Sequence, residues 1–337
     1  MEMRQLGKLW PVSALSLGGG GLGQVWGPTT REEAVATVHA AVEAGINLLD
    51  LAPMYGRGEA EAVIGEAFDG KLPTGMHITT KCQLGSPDAS DVAAKLERHL
   101  TRSLEALKLG QVDLFFLHSN ICPDDYTYKR HNDIREKWAT NWSIYGEHVV
   151  PAMEALKSRG LIGDWGITGT GLPVSILSAL RHETKPAVVQ AISNLMDSAG
   201  DMRQYEEPPE PRNIIRTAVA NDVGVMGIRA VATGALTAEL DRPLDADNET
   251  YKDYVRAVKY RELCREMGED PALLAHRFAL AMDGVDTVVL GVKNREELAG
   301  VVEAECKGPL DQEIITRING LRLNFQMPRM PLEERDI

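Results

Sequence analysis

The spacing of apolar residues along this chain switches repeatedly between two periods. Short, nearly continuous apolar runs predict buried strands, and stretches with apolar residues every three or four positions predict amphipathic helices. Strands are predicted at 14–18, 46–52, 77–82, 112–118, 162–168, 187–193, 223–231 and 287–292. Each is followed by a helical stretch, at 31–45, 59–68, 91–110, 149–160, 173–183, 212–222, one long region near 250–282, and 295–306. In 91–110, Val92, Leu96, Leu100, Leu104 and Leu107 fall on one helical face, and Gly45 closes the first helix.

Strands that alternate with helices argue for a parallel sheet. Eight such units in one chain close most simply into a (β/α)8 TIM barrel ringed by helices, with an open doubly wound sheet as the alternative. The stretch "MRQLGKLWPVS" (3–13) predicts an N-terminal β-hairpin turning at Gly7-Lys8, placed to plug the barrel bottom. No low-complexity linker divides the 337 residues, so the chain reads as one domain over 1–337. The tail after Asn324 has two prolines and no periodicity and is expected to pack irregularly or fray.

Composition narrows the function. Apolar residues make up 44%, enough for a substantial core. The 36 basic and 49 acidic residues leave a formal charge of −13, which argues against nucleic acid or an anionic membrane as partner. Cys82, Cys122, Cys264 and Cys306 are far apart and form no C-x-x-C, so neither a disulfide framework nor a metal site is expected. The polar start and the lack of a spanning apolar run point to a cytoplasmic protein acting on a small molecule, its oligomeric state open.

In a barrel of this kind chemistry gathers at the C-terminal ends of the strands. The second predicted strand ends near Asp50, the third on Lys81 and the fourth on His118, while Tyr55 lies on the loop after the second. Singly, these read as a helix cap, a surface charge, a structural histidine and a packing tyrosine. Together, on one rim, they compose a proton donor. A phenol titrates near ~10, a neighbouring ammonium favours its ionised form, and a buried lysine needs a counter-ion such as Asp50. His118 is suited to hydrogen-bond a reacting oxygen. Such a donor suits a carbonyl gaining a hydride, and the hydride has to come from a nicotinamide cofactor.

The segment "GINLLDLAPMYGRGEAEAVIGEAF", with "ITTK", "LGQVDLFFLH", "GLIGDWGIT" and "VVQAISN", resembles the aldo-keto reductase superfamily over nearly the whole chain. The resemblance implies a barrel that binds NADPH or NADH extended, without a Rossmann fold, and a catalytic tetrad of Asp50, Tyr55, Lys81 and His118 with Tyr55 as general acid or base. It implies an oxidoreductase interconverting a carbonyl (aldehyde, ketone or aldose) and an alcohol. The alternative is a cofactor-binding, redox-sensing auxiliary subunit of a membrane channel.

The resemblance also places cofactor contacts. Gly20, Gly21 and Leu22, within "SLGGGGLG", fall against the nicotinamide ribose, and Gln190 with Asp50 and Thr168 falls at the carboxamide. "TGT" (168–170) departs there from the family's serine-asparagine pair. "GIRAVATGALT" departs from its tyrosine and Ser-Pro-Leu, leaving Ile228 to cover the ring and Arg229 either a phosphate contact or a structural ion pair. In "LGVKNREEL", Gly291, Val292 and Lys293 resemble the segment that grips the 2′-phosphate, with Arg295 placed to assist. Glu297 would repel that phosphate, and Val301 replaces a frequent asparagine. Lys293 therefore favours NADP(H) and Glu297 favours NAD(H), with NADP(H) preferred.

Residues 119–146 exceed a usual βα connection and hold Tyr126, Tyr128, Trp138, Trp142 and Tyr145, although aromatics are 5% of the chain. This long loop after strand 4 is expected to cover the substrate, with Trp138 and Trp142 on one side, Trp26 opposite, and Tyr55 and His118 beneath. A surface subdomain packed on its own aromatics is the alternative.

Overall fold

The computed structural model describes residues 1–128 and 134–324. The residues after Asn324 and the middle of the 119–146 loop lie outside that range. Strands β1 (Met3–Gln5) and β2 (Pro11–Ser13) form an antiparallel hairpin. Eight parallel strands then close a barrel: β3 (Leu15–Gly18), β4 (Leu48–Asp50), β5 (His77–Cys82), β6 (Val112–Leu117), β9 (Ile162–Thr168), β10 (Val188–Ile192), β11 (Gly224–Ile228) and β12 (Thr287–Leu290). Between β6 and β9, β7 (Asn120–Cys122) and β8 (Ala139–Asn141) form a separate parallel pair. Barrel neighbours follow chain order, and β12 closes on β3.

Alternation along each strand separates two apolar regions. Leu49, Ile78, Phe115, Leu117, Ile167 and Val189 belong to the core that includes the outer helices. Leu48, Leu114, Phe116, Val188 and Met226 form the other cluster, inside the barrel. The hairpin closes it from below, because Leu6 and Val12 join this inner cluster. Gly7 has φ 51 and lies so close to the Gly224 backbone that a Cβ would overlap it. The Gly7 N–H donates to Asp286 Oδ2 at 3.2 Å. The expected plug is therefore present.

Most expected elements appear within a residue or two, but the long helical region near 250–282 is three helices: Glu249–Arg256, Val258–Met267 and Pro271–Leu280. Gly268, at φ 67, ends the second. Asp270 caps the third by accepting from the Leu273 N–H, and Pro271 at its first position forbids a continuous helix. The glycine-rich 16–23 stretch contains a helical turn, Gly19–Leu22. A further helix, Gln312–Gly320, follows the eighth unit.

Candidate active site

The inward phase of each strand carries polar groups to the upper rim. Asp50 follows Leu48, His118 follows Leu114 and Phe116, and Gln190 follows Val188, each on the inner face. Lys81 is fully buried, with its ammonium 2.9 Å from Asp50 Oδ2 and 2.8 Å from Oδ1. It also donates to the Leu51 carbonyl at 2.8 Å and to the Tyr55 hydroxyl at 3.2 Å. Asp50 Oδ1 accepts from Thr79 Oγ1 and from Gln190 Nε2, both at 2.7 Å. The His118 and Tyr55 rings meet edge to face, 6.0 Å between centroids. All four expected tetrad residues thus converge.

Burial pulls the Lys81 pKa down, but the Asp50 charge, Tyr55 and the bonds to both outweigh it and leave it raised. Burial also raises the Tyr55 pKa. The Lys81 charge and hydrogen bond lower it, yet do not cancel burial and the Asp50 charge. The expectation that Lys81 would bring the phenol below its ordinary value is corrected for this state of the protein. Burial, with a smaller contribution from the Lys81 charge, depresses His118 to about 3, so its imidazole is neutral at pH 7.

These groups lie at one end of a cleft of about 1230 Å³. Along its wall come Gly20, Trp26, Thr168, Gln190, Ile228, Arg229, Gly291, Val292, Lys293, Glu297 and Val301, and Trp138 stands at the mouth. The Thr168 hydroxyl is buried without a hydrogen-bond partner among the described residues. Gly21 and Leu22 are not part of this wall. A Cβ on Gly21 would overlap the Val292 carbonyl, and Leu22 is packed in the outer core. A Cβ on Gly20 would strike the Trp26 indole, so that glycine admits Trp26.

Other expectations are redirected by ion pairs. Arg229, with φ 61, donates to Asp201 Oδ1 at 2.9 Å and to the Thr233 hydroxyl, while its Nε has no partner among the described residues. Lys293 Nζ is 2.9 Å from Asp241 Oδ2 and 3.2 Å from Glu297 Oε1. Burial lowers its pKa, but these two carboxylates leave it raised. Glu297 also accepts from the Lys293 N–H at 2.8 Å, and Asn294 caps the same helix. Arg295 is paired with Glu33 instead.

The 119–146 segment divides its aromatics. Tyr126 and Tyr128 pack in a small cluster with Cys122, Ile134, Ala139, Leu172 and Tyr205. Trp142 is not on the cleft wall; it lies against Tyr145 and His182. Trp138 and Ile134 do line the cleft. The returning strand is fixed by Thr140 Oγ1 donating to the Gly85 carbonyl (2.8 Å) and Ser86 Oγ to the Ala139 carbonyl (2.6 Å). Among its described residues, Ile134 and Trp138 thus face the cleft, while Tyr126 and Tyr128 pack in a cluster shared with Leu172 and Tyr205. Residues not foreseen at the cleft include Gln83, Asn120, Asp201 and Asp241. Period-two phase after Lys81 and His118 marks the first two in the sequence; the last two sit on loops with no periodic signal.

A family model described as the aldo/keto reductase family matches residues 14–322. L-galactose dehydrogenase of Arabidopsis thaliana is 27% identical over 329 residues, 95% of this chain and 94% of that protein. Pyridoxal 4-dehydrogenase of Microbacterium luteolum is 40% identical over 334 residues, 88% of this chain and 91% of that one. A Klebsiella pneumoniae aldo-keto reductase structure in complex with NADPH superposes with a TM-score of 0.65 at 20% identity, covering 98% of this chain and 99% of that chain.

Proposed function

The chain belongs to the aldo/keto reductase family, and from that premise we propose that it interconverts a carbonyl and an alcohol with NADP(H) or NAD(H), Tyr55 being the proton donor and acceptor. The observation that carries this reading is the fully buried Lys81 ammonium, held by Asp50 and the Leu51 carbonyl and pointed at the Tyr55 hydroxyl. A surface lysine has no need of that arrangement.

The cleft residues fit a nicotinamide coenzyme. The orphaned Thr168 hydroxyl and Gln190, whose amide nitrogen is engaged by Asp50, offer hydrogen bonds to a carboxamide. Ile228 and Arg229 lie beside them, and Lys293 and Glu297 lie farther along. The NADPH complex of the Klebsiella protein supports NADP(H), and in this reading Lys293, on the cleft wall, is the cation for the 2′-phosphate. The coenzyme would supply or accept the hydride.

The protein's own groups do the rest. Burial keeps the Tyr55 phenol protonated, ready to donate to a carbonyl oxygen. As that proton leaves, the adjacent Lys81 charge stabilises the phenolate, and Asp50 keeps the ammonium in place. Neutral His118 orients the same oxygen without carrying charge into the site. Hydroxylated and aromatic aldehydes are the substrate class that the named relatives suggest, since their names specify L-galactose and pyridoxal.

The test is to supply NADPH or NADH with a panel of aldehydes, ketones and aldoses, and the oxidised coenzymes with the matching alcohols and sugars, following nicotinamide absorbance. Substrate-dependent turnover with at least one coenzyme is expected. A folded, coenzyme-binding protein with no turnover in either direction would contradict the reading.

A further inference from the structure

Three neighbouring strands carry polar residues in pairs two positions apart. Lys81 is followed by Gln83, His118 by Asn120 and Thr168 by Thr170. The second members lie just past the strand ends, Gln83 after β5, Asn120 at the start of β7 and Thr170 in the turn after β9. Gln83, Asn120 and Thr170 all line the cleft.

Each is held in place with hydrogen-bonding capacity to spare. Gln83 Nε2 donates to Ser119 Oγ and to the Lys137 carbonyl, both at 3.1 Å, leaving its carbonyl oxygen without a partner among the described residues. Asn120 is 9% exposed. Its Oδ1 accepts from Thr170 Oγ1 at 3.2 Å, and its amide nitrogen donates to nothing among the described residues. Turning the amide over would only exchange which end is left unmet. Neither free end is among the buried unpaired groups, so both open onto the cleft and are available to whatever enters it. Across the mouth stand apolar Val25, Met54 and Trp138, each 41–43% exposed.

We propose that Gln83, Asn120 and Thr170 form an arc that reads hydroxyl groups, selecting polyhydroxylated substrates of the aldose type over simple aldehydes. The inference rests on the oxidoreductase reading above and names its substrate class. With the reacting oxygen between Tyr55 and His118, the hydroxyls on following carbons would meet these donors and acceptors on the same cleft wall. The apolar rim takes the C–H face of the same molecule.

The experiment compares L-galactose, its 2-, 3- and 4-deoxy counterparts and benzaldehyde on the parent protein, then on Asn120→Ala and Gln83→Ala. Coenzyme dissociation constants are measured by fluorescence throughout. The parent should lose at least about tenfold in kcat/KM on removal of one or more hydroxyls, since sites built for a hydroxyl reject the analogue lacking it. Both variants should lose about tenfold or more on the sugar while keeping benzaldehyde turnover and coenzyme affinity within about twofold. Indifference of the parent to deoxygenation overturns the proposal, and needs no variant to fold. So does a parallel loss on sugar and benzaldehyde, or a loss confined to coenzyme affinity. A parent inactive on these sugars but active on other carbonyls overturns this proposal alone, whereas one inactive on the whole carbonyl and alcohol panel fails the oxidoreductase reading and this proposal with it.

Discussion

Placing an ammonium inside a barrel costs several kcal/mol unless a counter-ion and hydrogen bonds replace its water. Lys81 has all of these, from Asp50, Leu51 and Tyr55. Lys81→Met should therefore leave Asp50 buried and unpaired, at a cost of about 3–5 kcal/mol in urea denaturation. Adding Asp50→Asn should recover part of it; a single variant within about 1 kcal/mol of the parent would contradict this account of the pair. His118 gives a pH signature. Its folded value is depressed to about 3 against an ordinary 6.5, so between those limits the unfolded chain binds a proton that the folded one does not. Its neutral burial is fully tolerated above about pH 6.5 and becomes destabilising as pH falls towards about 3. His118→Gln should lose less stability than the parent between about pH 7 and about pH 5, and equal losses would argue against a neutral buried imidazole.

At the scale of elements, the two ends of the barrel do different work. Leu6 on the hairpin fills the bottom with Leu48, Phe116 and Met226, the inner layer that lies beneath Asp50 and His118. Leu6→Ala should cost about 2–5 kcal/mol by leaving a cavity, with kcat of the folded enzyme unchanged. A fall in kcat without a fall in stability would reverse that assignment. Strand and helix positions were legible because apolar period and inward phase follow directly from residue type. The break at Gly268 and Pro271 was legible too, in residues that end and start helices, but a continuous apolar period masked it. Trp142 could not be placed from its type alone: an aromatic on a loop serves a cleft or a core equally well, and here it packs on Tyr145.

At the scale of the whole molecule, the cleft joins a proton-transfer end to an ionic end. The convergence of Asp50, Lys81, His118 and Tyr55 could be read in the sequence because strand ends fix the first three and the short loop after β4 carries the fourth. The ionic end could not, because Asp241 reaches Lys293 across 52 residues through an irregular loop. That pairing has a consequence for coenzyme choice. Lys293 is already shared by Asp241 and Glu297, so a 2′-phosphate has to compete with two carboxylates. Lys293→Ala should weaken NADPH more than NADH, whereas Asp241→Asn should strengthen NADPH selectively, by about threefold to tenfold, for a change of roughly 1 kcal/mol at a partly exposed pair. Equal effects on both coenzymes would remove Lys293 from the phosphate role.

The central claim is that Tyr55 moves the proton. Tyr55→Phe keeps the ring and its contact with His118 but removes the hydroxyl that Lys81 holds. The decisive measurement is single-turnover hydride transfer in this variant, alongside its coenzyme dissociation constant. The account predicts a rate lower by about 10²–10⁴-fold with coenzyme affinity nearly unchanged. A folded Tyr55→Phe protein that transfers hydride at close to the parent rate would contradict it.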